Sequence, residues 1–259
     1  MKSMCWFLTA LLCLPTAATA AVKTETIKYQ HGGVEYVGYL AYDDAVSGKR
    51  PGILVVHEWW GLNDYARDRA EKLAGLGYVA FAADMYGGGK TVEHPKDAGE
   101  MAGKVRANVG EWRARAVAAL DVLKARPECD SSKLAAIGYC FGGSTALQLG
   151  LAGTDLDVVA SFHGGLPMAT EADAKQVKGR VLICNGADDS FIPAAAIQSF
   201  RGALDKAGVK YDFENYAGAR HSFTVPGVDK LGIDGMKYNK AADEASWKKL
   251  QEVLAVGLK

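Results

Sequence analysis

Gly138-Tyr139-Cys140-Phe141-Gly142-Gly143 places a thiol where a chain could present a nucleophile. The apolar run Lys133-Leu134-Ala135-Ala136-Ile137 before it reads as a buried strand, and Ser144-Thr145-Ala146-Leu147-Gln148-Leu149 after it reads as a helix. A strand that turns sharply into a helix through G-x-C-x-G is the thiol form of the nucleophile elbow. Its glycines are steric: the turn strains the nucleophile's backbone and brings strand and helix together, so neighbouring side chains must be minimal. The sulfur would sit at a helix N-terminus, where unsatisfied amides and the helix dipole favour thiolate. The competing reading, an inert buried cysteine behaving as a small hydrophobe, explains neither the flanking strand nor the helix.

A thiol nucleophile needs a base, and the base needs an orienting acid. With an elbow the chain order is nucleophile, acid, histidine. Asp188 and Asp189 follow the strand Arg180 to Asn185, and His221 follows the last strand. His163 also ends a strand but precedes the acid, so it is expected to line the pocket. Val56-His57-Glu58-Trp59-Trp60-Gly61 ends an earlier strand and would lend one backbone N–H to an oxyanion hole, the second coming from the residue after the nucleophile. Those donors are the amides of Trp59 and Phe141, with His57 belonging to the same loop. H-E-x-x-H zinc chemistry fails because Gly61 stands where the second histidine is needed. Neither metal nor cofactor is expected.

The elements that would hold these groups alternate. Thr24 to Gln30 and Val34 to Tyr42 form an antiparallel pair, followed by strands at Gly52 to His57 and Tyr78 to Ala83 around a helix from Asn63 to Ala74. A long helical stretch runs to about Arg126 with a break near Asn108 to Gly110. After the elbow come strands at Leu156 to Phe162, Arg180 to Asn185 and Lys210 to Tyr216. Helices span Pro193 to Ala207 and Asn239 to Val256. The continuous apolar strands suit burial on both faces. The pattern predicts an α/β domain with a doubly wound, mostly parallel sheet and its site at the strand carboxyl ends.

Residues 1–20 carry Lys2, an apolar stretch from Cys5 to Leu14 and the small residues Ala18-Thr19-Ala20. This reads as a secretory signal peptide cleaved after Ala20, implying a periplasmic or secreted protein. Residues 21–259 then form one domain with a sizeable core. Formal net charge is zero and no basic run occurs, which disfavours nucleic acid and acidic membrane surfaces as partners. Cys129, Cys140 and Cys184 are too few for a disulfide framework. Cys129 in a loop and Cys184 in a strand read as isolated thiols, although a bridge between them is open.

Taken in order, five segments resemble the dienelactone hydrolases: Glu58 with bulky residues and Gly61-Leu62-Asn63; Ala83-Asp84-Met85-Tyr86; Gly138 to Gly143; Asp189-Ser190-Phe191-Ile192-Pro193; and His221-Ser222-Phe223. The likeness runs from about Gly33 to the C-terminus. It implies the α/β-hydrolase fold and a Cys140–His221–Asp189 triad that opens lactones or esters through a thioester, and it selects Asp189 over Asp188. It also implies that Glu58 contacts the resting thiol and helps convert it to thiolate, where the residues alone would allow a helix cap. Two arginines that hold the substrate carboxylate in that family have no counterpart here. Gly87-Gly88-Gly89 follows Tyr86 and Thr224-Val225-Pro226 follows Phe223, leaving Arg67, Arg106, Arg113 or Lys90 to reach in from elsewhere. With Trp59, Trp60, Tyr86, Phe141, His163 and Phe191 around it, the expected pocket is apolar and suits uncharged or aromatic esters and lactones more than dienelactone itself. A general carboxylesterase or thioesterase, or a non-catalytic binding protein on this fold, is the alternative. The expected partner is a small-molecule substrate, and the chain is expected to be a monomer.

Overall fold

The computed structural model describes residues 22–259. The expected leader and its cleavage point lie outside the described residues. Eight strands form one sheet in the order β1-β2-β4-β3-β5-β6-β7-β8. These are β1 (Val22–His31), β2 (Val34–Asp43), β3 (Arg50–Val56), β4 (Val79–Ala83), β5 (Cys129–Tyr139), β6 (Val158–Phe162), β7 (Arg180–Gly186) and β8 (Tyr211–Tyr216). β1 pairs antiparallel with β2, and β2 with β4; every later pairing is parallel. The architecture is the mixed, mostly parallel α/β sheet that the alternation of elements predicts.

Helices cover both faces because successive strand residues point to opposite sides. On β3, Ile53 and Val55 pack with α1 (Asp64–Gly75) and α7 (Lys240–Gly257), while Leu54 and Val56 face the opposite layer. That layer is built from α2 (Pro95–Arg106), α3 (Val109–Lys124), α4 (Phe141–Leu151) and α6 (Ala194–Ala207), with the single turn α5 (Glu171–Ala174) beside them. Asn63 caps α1 by accepting from Ala66 N–H. Asn108 caps α3 by accepting from Glu111 N–H, and this cap is the break expected in the long helical stretch. Proline 193 stands just outside α6 as its N-cap instead of within the first turn.

Cys129 departs from its expected loop. It opens β5 opposite Arg50 and Asp130 faces Pro51, and the register then jumps so that Gly52 meets Leu134 and Ser131, Ser132 and Lys133 bulge out unpaired. Cys129 and Cys184 are both free and buried, so no bridge joins them. Among the described residues no helix is long and apolar enough to cross a membrane, and no His/Cys/Asp/Glu group could hold a metal ion. The carboxyl ends of β3, β4, β5, β6, β7 and β8 lead directly into His57, Asp84, Cys140, His163, Asp189 and His221. The sheet thereby delivers six candidate residues to one edge.

Candidate active site

Cys140 is the N-cap of α4, with a φ of 51° and a ψ of −111°. That combination lies outside even the left-handed helical region and is a strained one for a side chain to hold. Close packing explains the glycines: a Cβ on Gly138 would collide with the Gly142 backbone, and one on Gly142 with the Val56 carbonyl. The elbow is fixed by Cys140 N–H donating to Phe162 O at 2.9 Å and to His163 Nδ1 at 3.2 Å.

The thiol faces His221, with Sγ 3.0 Å from Nε2. On the other side of the ring, Nδ1–H donates to Asp189 Oδ2 at 2.8 Å. The second carboxylate oxygen, Oδ1, accepts from Phe191 N–H at 2.9 Å, so the acid is held from two directions. Asp189 is 6% exposed, whereas Asp188 is exposed to solvent, and burial separates two aspartates that spacing alone left equal. Burial opposes the charged imidazole, but the charge on Cys140 and hydrogen bonds to Asp189 and Cys140 outweigh it, raising His221 to about 10. A backbone bond from His221 N–H to Gly235 O and the edge of Phe191, 5.0 Å between ring centroids, fix the ring's position.

His57 has a role that its type alone does not reveal. Its Nδ1–H donates to the Glu58 carbonyl, and its Nε2 accepts from Met85 N–H at 3.2 Å. Burial pushes it down to about 4, keeping it neutral so that it can both donate and accept. The Glu58 carbonyl and the Trp59 N–H share one planar peptide and point in opposite directions, so anchoring the carbonyl aims the amide. Trp59 N–H takes no acceptor among the described residues. Phe141 N–H opens α4, where no intrahelical acceptor exists. Asp84, at the end of β4, accepts from the amides of Val37, Tyr86, Gly87 and Gly89, which organises the glycine loop beside this edge.

Glu58 is 3% exposed and does not touch the thiol; its Oε1 accepts from Ser222 Oγ at 2.8 Å. Burial raises its carboxyl above the usual range, against the pull of Ser222, His221 and Arg69. His163 is buried behind the elbow instead of lining the pocket. Its Nε2 lies 2.8 Å from Thr224 Oγ1 while Nδ1 accepts from Cys140, so it ties the elbow to the His221 loop. Burial, His221 and Arg69 hold it well below the usual histidine value. Cys140, His163 and Ser222 are the three non-glycine residues with positive φ among those described.

A cavity of about 380 Å³ opens onto Cys140 and His221. Trp59, Trp112, Phe191 and Ile192 give it apolar walls, while Arg106, Ser144 and Gln148 add polar groups. Several expected lining residues lie elsewhere. Tyr86 is buried and gives its hydroxyl hydrogen to Trp59 O at 2.8 Å. Phe141 is fully buried, stacked on Trp112 and met by the Arg106 guanidinium, and offers only its amide. Trp60 lines a separate cleft of about 710 Å³ together with Glu58 and Arg67. Of the four candidate cations only Arg106 reaches the cavity; Arg113 is turned onto Gln148 and Lys90 lines neither space. Ser144 and Gln148 could have been found in the sequence, because they fall four and eight residues after Cys140 on the predicted helix. Trp112 carried no such signal, and Arg106 was one of four candidate cations that sequence could not rank.

Chemically, the arrangement offers a thiol with a partner base, an acid behind the base and two aimed amides, all at the mouth of a partly apolar cavity. Known proteins similar to this chain include members of one family. The model of the dienelactone hydrolase family matches residues 37–256. The solved structure named m3DLH is 40% identical, covers 92% of this chain and 100% of its own, and superposes with a TM-score of 0.89. A dienelactone hydrolase-like promiscuous phosphotriesterase from metagenomic libraries is 36% identical over 92% of this chain and 100% of its own, with a TM-score of 0.90. Protein usf of Aquifex pyrophilus is 29% identical, covering 77% of this chain and 86% of that protein.

Proposed function

This chain belongs to the dienelactone hydrolase family, and on that premise we propose that it hydrolyses carboxylic esters or lactones through a thioester on Cys140. The observation that carries the reading is the continuous line from Asp189 Oδ2 through the His221 ring to Cys140 Sγ, at 2.8 and 3.0 Å, beside a cavity. His221 Nε2 takes the thiol proton and the sulfur attacks the substrate carbonyl carbon. Charge gathers on the carbonyl oxygen, where the amides of Trp59 and Phe141 donate; such donors contribute about 3–4 kcal/mol each in other enzymes. The carbon–oxygen ester bond then breaks, and the His221 imidazolium protonates the departing alkoxide, which in a lactone stays attached to the acyl chain. Water next gives a proton to His221 and attacks the thioester carbonyl, releasing the acid and restoring the thiol. Asp189 keeps the ring in its Nδ1–H tautomer and supports the imidazolium. Glu58, turned here toward Ser222, is assigned the resting thiol's alternate partner.

The Arg106 guanidinium, Ser144 and Gln148 make the cavity less uniformly apolar than the sequence suggested, so the substrate need not be wholly uncharged. Specificity for dienelactone is not part of the reading, because Gly87 and Val225 stand near where carboxylate-holding arginines would be expected. Export rests on residues 1–20, and a monomer acting on small molecules without nucleic acid or membrane completes the proposal. The test is a panel of p-nitrophenyl esters, aryl lactones, acyl thioesters and an aryl phosphotriester, with wild type and Cys140→Ala compared by kcat/KM. Ester or lactone turnover lost in the variant is expected. Undiminished turnover in Cys140→Ala would refute the thiol mechanism.

A further inference from the structure

Cys140, Ser144 and Gln148 are spaced by four on α4, so they share one stripe of the helix, and all three line the cavity. At 1.5 Å per residue, Gln148 stands roughly 12 Å along the axis from the nucleophile. It is 9% exposed. Its Oε1 accepts from both Nε and an Nη of Arg113, at 2.9 and 2.7 Å. A guanidinium carries only donors, so the amide oxygen must face it and the NH₂ group must face away. That nitrogen has no protein acceptor among the described residues. Ser144 differs, because its hydroxyl is engaged by Gly165 O at 2.7 Å. None of the cavity's lining residues is acidic. The distal wall therefore presents the Gln148 NH₂ group as a donor without a protein acceptor.

From this we infer that the Gln148 amide, fixed by Arg113, is a specificity determinant that selects substrates bearing an oxygen acceptor remote from the scissile carbonyl. The inference rests on the hydrolase reading above and names its substrate class: esters or lactones of an extended chain with a distal carbonyl, ether or carboxylate oxygen. The stripe acts as a ruler, with the nucleophile at one end and the NH₂ group two helical turns away.

The experiment compares kcat/KM for p-nitrophenyl 7-oxooctanoate with that for p-nitrophenyl octanoate, in wild type, Gln148→Leu and Arg113→Leu. A hydrogen bond to a cavity-facing donor of this kind should change the keto-to-plain ratio by about three- to tenfold. The ratio should fall by that factor in Gln148→Leu, and also in Arg113→Leu, where the amide is present but no longer oriented. The second variant keeps the test decisive if the first does not fold. An unchanged ratio in the folded variants overturns the inference. The p-nitrophenyl monoester of suberic acid supplies an anionic arm: a preference for it that vanishes in Arg106→Ala but survives Gln148→Leu also overturns it, moving recognition to the guanidinium. Binding of 7-oxooctanamide against octanamide to Cys140→Ala, by calorimetry, reads the same contact without turnover. A preference there with no catalysis in wild type would sink the hydrolase reading and leave the subsite standing.

Discussion

Replacing Asp189 with asparagine changes one atom and should disable the base without disturbing its packing. The carboxylate accepts from Phe191 N–H through Oδ1 and from His221 Nδ1–H through Oδ2. An asparagine has a single acceptor oxygen. If that oxygen stays on Phe191, the NH₂ group faces Nδ1, which must then accept, and the ring proton moves to Nε2. Nε2–H would then point at Sγ, 3.0 Å away, with no lone pair to receive the thiol proton. If the amide turns over, its NH₂ group meets the Phe191 N–H, donor against donor. In a serine protease the same tautomer error lowers kcat about 10⁴-fold. A thiol depends less on its base than a hydroxyl does, so kcat for p-nitrophenyl acetate should fall about a thousandfold, roughly 4 kcal/mol. The KM should move little and circular dichroism should be unchanged. Asp188→Asn, at an exposed position, should keep kcat within about twofold. More than about a tenth of wild-type kcat in Asp189→Asn, or an equal loss in Asp188→Asn, would refute the reasoning.

Three further outcomes are expected. Iodoacetamide at about pH 8 should label Cys140 first, because burial pushes Cys129 up to about 11 and Cys184 up to about 12, leaving thiolate fractions near 10⁻³ and 10⁻⁴. Mass spectrometry showing comparable labelling of all three would contradict this. His57→Phe should lower kcat about ten- to a hundredfold with little change in KM, since the Glu58 carbonyl loses its donor and the Trp59 amide its aim; a purely raised KM would assign His57 to substrate binding instead. Urea midpoints should be highest near neutral pH. Below about 6.5 the unfolded chain takes up protons that the buried His57, held down at about 4, refuses, so up to about 3 kcal/mol is lost by pH 4, with His163 adding in the same direction. Above about 6.5 the unfolded chain sheds a proton that folded His221, raised to about 10, still holds, so that contribution is lost progressively up to about pH 10. A flat profile across that range would contradict both assignments.

The elbow was legible because its steric demands leave a residue signature: small groups at 138 and 142, an apolar run before and a helix after. His221 was legible from chain order. Asp189 was not separable from Asp188 by spacing, since what distinguishes them is which one the fold buries. Trp60 and Tyr86 show the opposite failure. Aromatic content indicates apolar surface but not which side of a loop it covers, and here one faces a second cleft while the other braces the Trp59 carbonyl. His57 and Arg106 were in view as candidates, but their partners Met85 and Phe141 lie far away in sequence, so no local pattern gives what they do. Cys129 was misplaced because Asp130-Ser131-Ser132 reads as a turn, yet a register shift lets the strand begin before it.

The positive φ angles at His163 and Ser222 have a consequence for laboratory evolution. Glycine tolerates such angles readily, whereas other residues hold them at a penalty of order 1–3 kcal/mol. A library screened only for survival after heating should therefore favour glycine at 222, where little side chain is lost. Buried His163 is instead retained by its bonds to Cys140 and Thr224. The hardiest survivors should be poor catalysts. Heat tolerance and turnover would have to be selected together.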